Sequence, residues 1–506
     1  MAILLIFTTF LSKILGFVRD VALSYFYGAS EITDAYLISL TIPGTIFSFI
    51  GVGIATSYIP IYHEINEKKG KNFGLVFTNE VIKIVFLIST FLMIFILLFS
   101  EQIVTVFASG LEGESFKLAV DFTRISSSTL YFSGLIYVLK AYSEANGNYL
   151  IPAFSSLPNS LISIGGIYLS TIYSVYWMSI GSALSIFVQL LIMLPFIYKN
   201  KFSFRAKLNL ESNYLNKMIY ISLPVMLGVS VNQINILIDR TLASSSFEGG
   251  ISIITYASRV VFFVQDLFVI SIVTIMYPVI SRLLIRKSNI ELSRVIEKTF
   301  AFINILLVPS MLISFIYSEE IVRILYGRGE FTQESIFITS SVLRFYSLGM
   351  LFYGWKEILV RGFYGSQDTK TPTINSMIST ISNIILSVVL VNTVGIIGLP
   401  IATTLSSILL TMLLFVKFSK KIIQLPLNLL FIDLLKVFVA SGLAIYVSDE
   451  IYNYLDSLNI HLSITFSILA FSLVNIYVIS LVVLKVNNVK SIMELIKNKF
   501  GSWWRK

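Results

Sequence analysis

The sequence contains no cysteine and only two histidines among its 506 residues. Without cysteine, the chain forms no disulfide, no thiolate metal site and no cysteine nucleophile. Two histidines, His63 and His461, are too few to suggest a histidine metal centre or acid–base pair. Charge is also scarce, since Asp, Glu, Lys and Arg make up 13% of the residues, against about a quarter in a soluble domain. The chain therefore lacks the side chains that would cover a water-exposed surface.

The sequence is instead rich in long hydrophobic stretches. Hydrophobic residues make up 56% of the chain, and stretches of 18 or more recur from end to end, each long enough to cross a bilayer core. They predict an all-α polytopic membrane protein with about 14 transmembrane helices. The spans are 3–28, 33–62, 76–100, 119–145, 149–171, 174–198, 214–241, 250–283, 296–318, 333–364, 371–393, 395–418, 428–448 and 461–485. No phosphate-binding loop of the G-x-x-x-x-G-K-[ST] type is present, so ATP hydrolysis is not expected.

The loops between these spans alternate in charge. Loops after even-numbered spans are basic, with Lys68, Lys199, Arg286 and Lys420 as examples, whereas loops after odd-numbered spans are acidic or neutral. Lysine and arginine favour the cytoplasmic side of a membrane. Both termini are therefore predicted to be cytoplasmic, as an even number of spans requires. The net charge of +9 follows from this topology, and no nucleic-acid partner is expected.

Two halves of the chain repeat each other. Pro60 and Pro278 close spans 2 and 8, and the Ser-Glu blocks that begin at Ser100 and Ser318 follow spans 3 and 9, at a shared offset of about 218 residues. Six spans thus occur twice in the same orientation. The predicted domains are an N-lobe (1–200), a C-lobe (210–420), a C-terminal helix pair (425–486) and a cytoplasmic tail (487–506). Transporters built from such halves bind substrate between them, near the midplane.

Ionisable side chains inside the spans are costly and mark transport pathways. Span 1 contains Lys13, Arg19 and Asp20, with Gly16 among them, where a helix or ligand could approach closely. Span 8 contains Arg259, with Asp266 seven residues later. One interpretation is a cationic lining for an anionic substrate, and the alternative is a set of interhelical ion pairs.

A second polar set lies in span 7, where Asn232, Asn235 and Asp239 form one stripe. Their oxygens suit a hard cation such as Na⁺, and they equally suit ordinary interhelical hydrogen bonds. Arg344 and Lys356 lie in span 10 without evident partners, so the sequence assigns them no role.

Several blocks of the sequence resemble one family. Residues 12–20 read S-K-I-L-G-F-V-R-D, which is similar to the opening S-R-x-L-G-F-x-R-D block of the MurJ/MviN lipid II flippases. Residues 363–372 read F-Y-G-S-Q-D-T-K-T-P and resemble that family's F-Y-A-x-x-D-T-x-T-P block. Further resembling blocks begin at Thr33, Asp239, Tyr256, Tyr326 and Gly398. The resemblance covers residues 8–410, and the remainder matches in hydropathy only.

The resemblance implies a transporter, not an enzyme, of the multidrug/oligosaccharidyl-lipid/polysaccharide exporter superfamily. Its two six-helix lobes would surround a central cavity, and two C-terminal helices would help to form a groove for a lipid tail. The implied substrate is lipid II, an undecaprenyl-pyrophosphate glycolipid, which is moved from the inner to the outer leaflet of the bacterial plasma membrane by alternating access. No cofactor is implied, and the driving force would be a Na⁺ gradient or the membrane potential.

The resemblance also implies roles for particular residues. Lys13, Arg19 and Arg259 would bind the pyrophosphate, while Asp20 and Asp34 would orient them or gate the cavity. Because some family members bind sodium in the second lobe, the matching positions form a candidate sodium site: Asp239, Asn383 and Thr403.

The sequence departs from the family pattern at three places. Lys13 replaces an arginine, which keeps the charge but loses the planar fork that binds phosphate at two points. Residues 43–49 carry no charge where many members have an arginine pair and a glutamate, and Ser387 stands where a carboxylate is expected.

Three alternative functions remain open on sequence alone. They are a flippase for another undecaprenyl-linked glycan, a drug or cation antiporter, and a membrane-bound glycan polymerase or acyltransferase. The cationic residues and the two extra spans disfavour the antiporter, and the short loops disfavour the enzyme. The sequence gives no oligomeric state.

Overall fold

The computed structural model of the chain describes residues 2–199, 212–457 and 462–486. These residues fold into α-helices with short connections, and no strand occurs among them. The predicted all-α class is therefore confirmed. The predicted cytoplasmic tail, 487–506, and His461 lie outside the described residues.

The helices of the first half occur in the order that the apolar stretches predict. They are α1 (Ala2–Tyr27), α2 (Glu31–Lys69), α3 (Lys71–Leu98), α4 (Ser100–Phe107), α5 (Gly113–Ser126), α6 (Thr129–Ala145), α7 (Leu150–Ile172) and α8 (Tyr176–Lys199). Span 4 of the prediction is formed by α5 and α6 together, with a break between Ser126 and Thr129.

The helices of the second half follow the same plan. They are α9 (Ser212–Ser246), α10 (Gly250–Gln265), a π-helical segment (Asp266–Ile270), α11 (Ser271–Ile285), α12 (Asn289–Ile316), α13 (Ser318–Leu325), α14 (Gln333–Leu348), α15 (Met350–Gly365), α16 (Lys370–Val394), α17 (Gly398–Lys421), α18 (Leu427–Ser457) and α19 (Leu462–Val483).

Nine helical segments among the described residues are long and apolar enough to cross a membrane, and one of them, Lys370–Lys421, contains two predicted spans. The chain is therefore a multi-pass membrane protein. The exact number of 14 spans stays a prediction.

Helix α2 shows how the sequence sets a helix boundary. The side chain of Ser30 accepts a hydrogen bond from the backbone N–H of Thr33, which satisfies one of the unpaired donors of the first turn. Glu31 and Asp34 place negative charge in that first turn, and Lys68 and Lys69 place positive charge in the last, so both ends complement the helix dipole.

The internal repeat is visible as local structure. The two Ser-Glu blocks form short helices of equal length, α4 and α13, with eight residues each. In the first copy Arg124 Nε donates to Ser100 Oγ at 3.0 Å, and in the second Arg344 Nε donates to Ser318 Oγ at 3.3 Å. Arg344, which the sequence left unassigned, thus holds the start of a short helix in place.

Packing contacts divide the chain into two compact units. The first contains the described residues of Met1–Arg259, together with Val322–Val342 and Asn383–Leu399. The second contains Val260–Ile321, Leu343–Ser382 and the chain from Pro400 onward, as far as it is described. These units are defined by contacts between residues and not by the sequence repeat. The predicted lobe boundaries at 200–210 and 420–425 therefore stay predictions.

Within the first unit, α7 and α8 cross at very close range. A Cβ atom added to Gly166 would lie 2.6 Å from Gly181 Cα, which is possible only because both residues are glycine. Within the second unit, α18 packs against α19 and α12, and Tyr477 Oη of α19 donates to the carbonyl oxygen of Ile305 at 2.6 Å. The C-terminal helices are thus fixed to the second unit.

Candidate anion-binding site

The first unit contains a cluster of two arginines around one buried carboxylate. Arg19 and Asp20 follow each other on α1, and Arg19 Nη2 lies 2.9 Å from Asp20 Oδ1. The other carboxylate oxygen, Asp20 Oδ2, lies 2.9 Å from Arg259 Nε on α10. Asp20 therefore joins two helices that are more than 200 residues apart in sequence.

This cluster carries one net positive charge, since two guanidinium groups share a single carboxylate. The Asp20 side chain is 5% exposed, whereas that of Arg259 is 49% exposed. Arg259 contacts Asp20 through Nε, and its half-exposed guanidinium is accessible to a further partner. Because a guanidinium binds phosphate oxygens with paired hydrogen bonds, the cluster can hold and orient a phosphate-bearing anion.

Aromatic side chains pack close to the cluster. Tyr256 and Tyr326 are buried, with ring centroids 4.9 Å apart, and Phe331 packs on both rings. Both tyrosines are near enough to interact electrostatically with Asp20.

Asp34 has a different role from the one its charge suggests. Its carboxylate is buried and accepts backbone hydrogen bonds from Ile251 N at 3.0 Å and from Ser252 N at 2.7 Å. These are orphan donors of the first turn of α10, so Asp34 of α2 caps a helix from the other half of the chain. Ser252 is 218 residues beyond Asp34, so the two residues occupy corresponding positions in the two copies of the repeat.

Arg240 supports the same junction. It lies on α9 and donates from Nη1 to the carbonyl oxygen of Ile251 at 3.0 Å, and also to the hydroxyl of Thr255. The sequence placed Arg240 inside a resembling block without giving it a role. The structure shows that it fastens α9 to the first turns of α10.

Glycines allow the backbones to meet at this end of the first unit. Gly28 has φ of 61° and lies directly against the backbone of Glu330. Gly329 has φ of 67° and lies against Tyr25, whose carbonyl oxygen accepts from Glu330 N at 3.0 Å. Neither the backbone angle nor the space would accept a side chain at these two positions.

Two adjoining cavities open among α1, α6, α7 and α8, and α2 also lines the smaller one. The smaller, of about 280 Å³, is lined by Arg19 with Thr129, Ser182 and Ser185. The larger, of about 620 Å³, contains Lys13 and no other member of the predicted cationic set. The structure thus brings Arg19, Asp20 and Arg259 together and places Lys13 in the next cavity.

Gly16 was expected at a close approach. A Cβ atom added there would meet nothing within 4 Å among the described residues. The close approach of a helix or a ligand at Gly16 stays a prediction.

The predicted sodium ligands are divided between the two units. Asp239 and Asn383 belong to the first unit and Thr403 to the second. Asp239 accepts hydrogen bonds from Asn235 Nδ2 at 3.2 Å and from Ser387 Oγ at 3.3 Å. The Asp239 carboxylate thus accepts hydrogen bonds from neutral side chains, as expected if the polar residues of span 7 make ordinary interhelical hydrogen bonds. Sodium binding stays a prediction.

Lys356 and Glu357 form an ion pair at 3.1 Å, and Arg361 lies over the ring of Tyr277 at 5.8 Å from its centroid. Lys356 therefore has a partner that the sequence did not indicate. It belongs to the packing of the second unit and not to the candidate site.

Comparison with known proteins gives a consistent result. A family model described as "Lipid II flippase MurJ" matches residues 23–470. A relative from Thermosipho africanus, named "Lipid II flippase MurJ", is 30% identical over 449 residues, which cover 88% of this chain and 89% of that protein. A solved structure titled "Lipid II flippase MurJ, inward closed conformation" is similar with a TM-score of 0.80 and 28% identity, and the match covers 94% of this chain and 98% of that one.

The fold is also similar to that of a multidrug resistance MATE family transporter of the MOP superfamily, solved in an inward-facing conformation. The TM-score is 0.71, the identity is 13%, and the match covers 83% of this chain and 98% of that one. At this identity the similarity concerns the fold alone.

Proposed function

Since the chain belongs to the lipid II flippase MurJ family, we propose that it moves lipid II from the inner to the outer leaflet of the bacterial plasma membrane by alternating access. The pyrophosphate and the sugar–peptide head of this lipid cannot cross hydrocarbon unaided, because charged groups are strongly disfavoured there. A protein that binds the head inside a polar cavity removes that barrier. No covalent step is involved.

The observation that carries this proposal is the Arg19–Asp20–Arg259 cluster. Its net positive charge and the half-exposed guanidinium of Arg259 suit the pyrophosphate, which is the part common to every undecaprenyl-pyrophosphate lipid. Asp20 fixes the direction of both arginines and prevents them from repelling each other when no substrate is bound. A cation-exporting antiporter would need the opposite sign of charge at this place.

The proposal includes the orientation of the protein. The basic loops lie on the cytoplasmic side, so both termini are cytoplasmic. The Asp34 junction between α2 and α10 and the glycine contacts then lie toward the outer face, because the loops that contain them follow odd-numbered spans. Contacts that close the outer face are those that outward opening must break.

Depletion of the protein in its native bacterium tests the cargo. Mass spectrometry of the membrane lipids would identify the undecaprenyl-pyrophosphate glycolipid that accumulates, and accumulation of the muropeptide-bearing lipid is expected. Accumulation of a different glycolipid would reassign the cargo to another glycan. No accumulation in a strain that lacks a second flippase would contradict the proposal.

Complementation of the depleted strain tests the site. Arg259→Ala and Arg19→Ala are expected to abolish growth at normal expression and normal insertion, because each removes a phosphate ligand and leaves Asp20 with one partner fewer. Arg286→Ala is the matched control, because Arg286 is exposed in a loop outside the cluster. Full growth with both cluster variants would exclude the cluster as the binding site.

A further inference from the structure

The larger cavity of the first unit is too polar to be a packing defect. Helices α1, α6, α7 and α8 enclose about 620 Å³, a volume typical of ligand sites. Two cationic side chains from different helices line it, Lys13 from α1 and Lys140 from α6, together with Glu144. Lys13 lies in the middle of α1, where a charge is costly unless it serves water, an ion or a ligand.

Neutral hydrogen-bonding groups line the same cavity. Asn159 Nδ2 of α7 donates to Gln189 Oε1 of α8 at 2.9 Å, and the hydroxyls of Ser12 and Ser156 lie 2.8 Å apart. The amide pair uses one donor and one acceptor, which leaves the Gln189 amide hydrogens and the Asn159 oxygen to bind hydroxyl and acetamido groups. These are the polar groups of N-acetylated sugars.

The cavity is lined by both positively and negatively charged side chains. Lys140 Nζ lies 4.0 Å from Glu144 Oε1, one helical turn away, and the Lys140 side chain is 52% exposed. An ion pair at this distance with a half-exposed lysine contributes little to stability, so the two side chains can separate to bind a ligand at a small cost in free energy. The ammonium groups of Lys13 and Lys140 can bind the carboxylates of a ligand, and the carboxylate of Glu144 can bind an ammonium group. A short peptide that carries both kinds of group is therefore complementary to this cavity.

The position of the cavity relative to the arginine cluster is also specific. Lys13 precedes Arg19 by six residues on α1, which places it about 9 Å further along the helix axis. Ser133, Tyr137 and Asn159 line both this cavity and the one that contains Arg19, so the two spaces adjoin. A single ligand with a phosphate at one end and a sugar–peptide at the other would reach from one to the other.

From these observations we infer that the cavity of Lys13, Lys140, Glu144, Asn159 and Gln189 is a separate subsite for the sugar–peptide head of the carried lipid. The inference rests on the proposed function. It assigns the two parts of the substrate to two places: the pyrophosphate to the arginine cluster, and the N-acetylated sugar with its peptide to this cavity, which would distinguish lipid II from other undecaprenyl-pyrophosphate lipids.

Binding measurements with two lipids test this division. Purified full-length protein in detergent would be titrated with lipid II and with undecaprenyl pyrophosphate, which lacks the sugar and the peptide. Lys140→Met and Gln189→Leu are expected to weaken lipid II binding about tenfold, as the loss of a hydrogen bond to a charged or polar group predicts. Both variants should bind undecaprenyl pyrophosphate as the unmodified protein does, whereas Arg259→Ala should weaken both lipids.

Lys83→Met is the matched control, because Lys83 is an exposed lysine on α3 outside the cavity. Unchanged lipid II binding by both cavity variants, or an equal loss for the two lipids, would overturn the subsite. If one variant does not fold, as shown by thermal unfolding, the other still decides the question. Failure of the proposed function would look different, because the unmodified protein would then bind neither lipid II nor undecaprenyl pyrophosphate.

Discussion

Asp20 and Asp34 are both buried carboxylates near one end of the first unit, yet they bind different kinds of partner. Asp20 binds two guanidinium groups and sets the charge of the candidate site. Asp34 binds two backbone N–H groups and sets the contact between two helices. Their presence inside spans could be predicted from the sequence, because charge in an apolar run is conspicuous. Their partners could not, because a single sequence does not show which distant helices meet.

Replacement of Asp34 by alanine should weaken the first unit. It removes two charge-assisted hydrogen bonds and leaves two buried N–H donors of α10 unsatisfied, a loss of about 3 kcal/mol. Thermal unfolding of the purified protein would detect it. Glu31→Ala is the matched control, because Glu31 lies in the same helical turn but is exposed. Equal stability of the two variants would contradict the role of Asp34.

At the scale of the helices, most boundaries follow from apolar length and from the residues at the ends. Two elements were not predicted, α4 and α13, because eight residues are too few to show as an apolar run. Their first residues were nevertheless recognised as the Ser-Glu blocks of the repeat. The break between α14 and α15 at Gly349 was missed for the opposite reason, since the apolar run continues through it.

The crossing of α7 and α8 provides a sharp test of helix packing. Gly166→Ala would place a methyl group about 2.6 Å from Gly181 Cα and should cost about 1 to 3 kcal/mol, because the helices must separate. The adjacent Gly165→Ala should be neutral, since nothing lies within 4 Å of its added Cβ. Thermal unfolding of the two variants measures the difference. A similar loss of stability in both variants would mean that replacing a glycine in α7 destabilises the helix itself, whether or not the glycine lies at the contact with α8.

The start of α16 should depend on pH. Asp368 lies in the loop before α16, where hydrogen bonds from the hydroxyl and N–H of Thr371 and from the Lys421 ammonium lower the pKa of Asp368 to about 2. Because its folded pKa lies below the ordinary value of 3.8, this carboxylate stabilises the helix start above about pH 4, and the stabilisation is lost as the pH falls toward 2.

Hydrogen-exchange protection factors for the backbone amides of Thr371, Thr373 and Ile374 would show this. They should fall between about pH 5 and pH 2 in the unmodified protein, while Asp368→Asn should already have low protection at the higher pH and change little. A pH response that persists in Asp368→Asn would assign the effect to another group.

At the scale of the whole molecule, the fold class and the succession of helices could be predicted, whereas the grouping into compact units could not. Hydropathy reports how long a helix is and not what it packs against. Residues 212–259 pack with the first half of the chain, although they begin the second copy of the repeat. Such contacts depend on the conformation of the transporter as well as on its sequence.

The topology can be tested directly, because the chain has no cysteine of its own. In a variant with a single introduced cysteine, a thiol reagent can therefore label this protein only at the introduced residue. In intact cells with a permeable outer envelope, a membrane-impermeant maleimide should label Glu112→Cys and should label Arg286→Cys only after the membrane is opened. Both residues are exposed. The reverse pattern would invert the proposed orientation.

The contact of Asp34 with residue 252 has a consequence for the origin of the molecule. The two positions correspond to each other in the repeat, and they lie side by side. With the first half duplicated, residue 252 would be an aspartate and would bring a second carboxylate next to Asp34. With the second half duplicated, residue 34 would be a serine, and the backbone N–H groups of Ile251 and Ser252 would lose their charged acceptor. This junction therefore requires the two copies to differ where they touch.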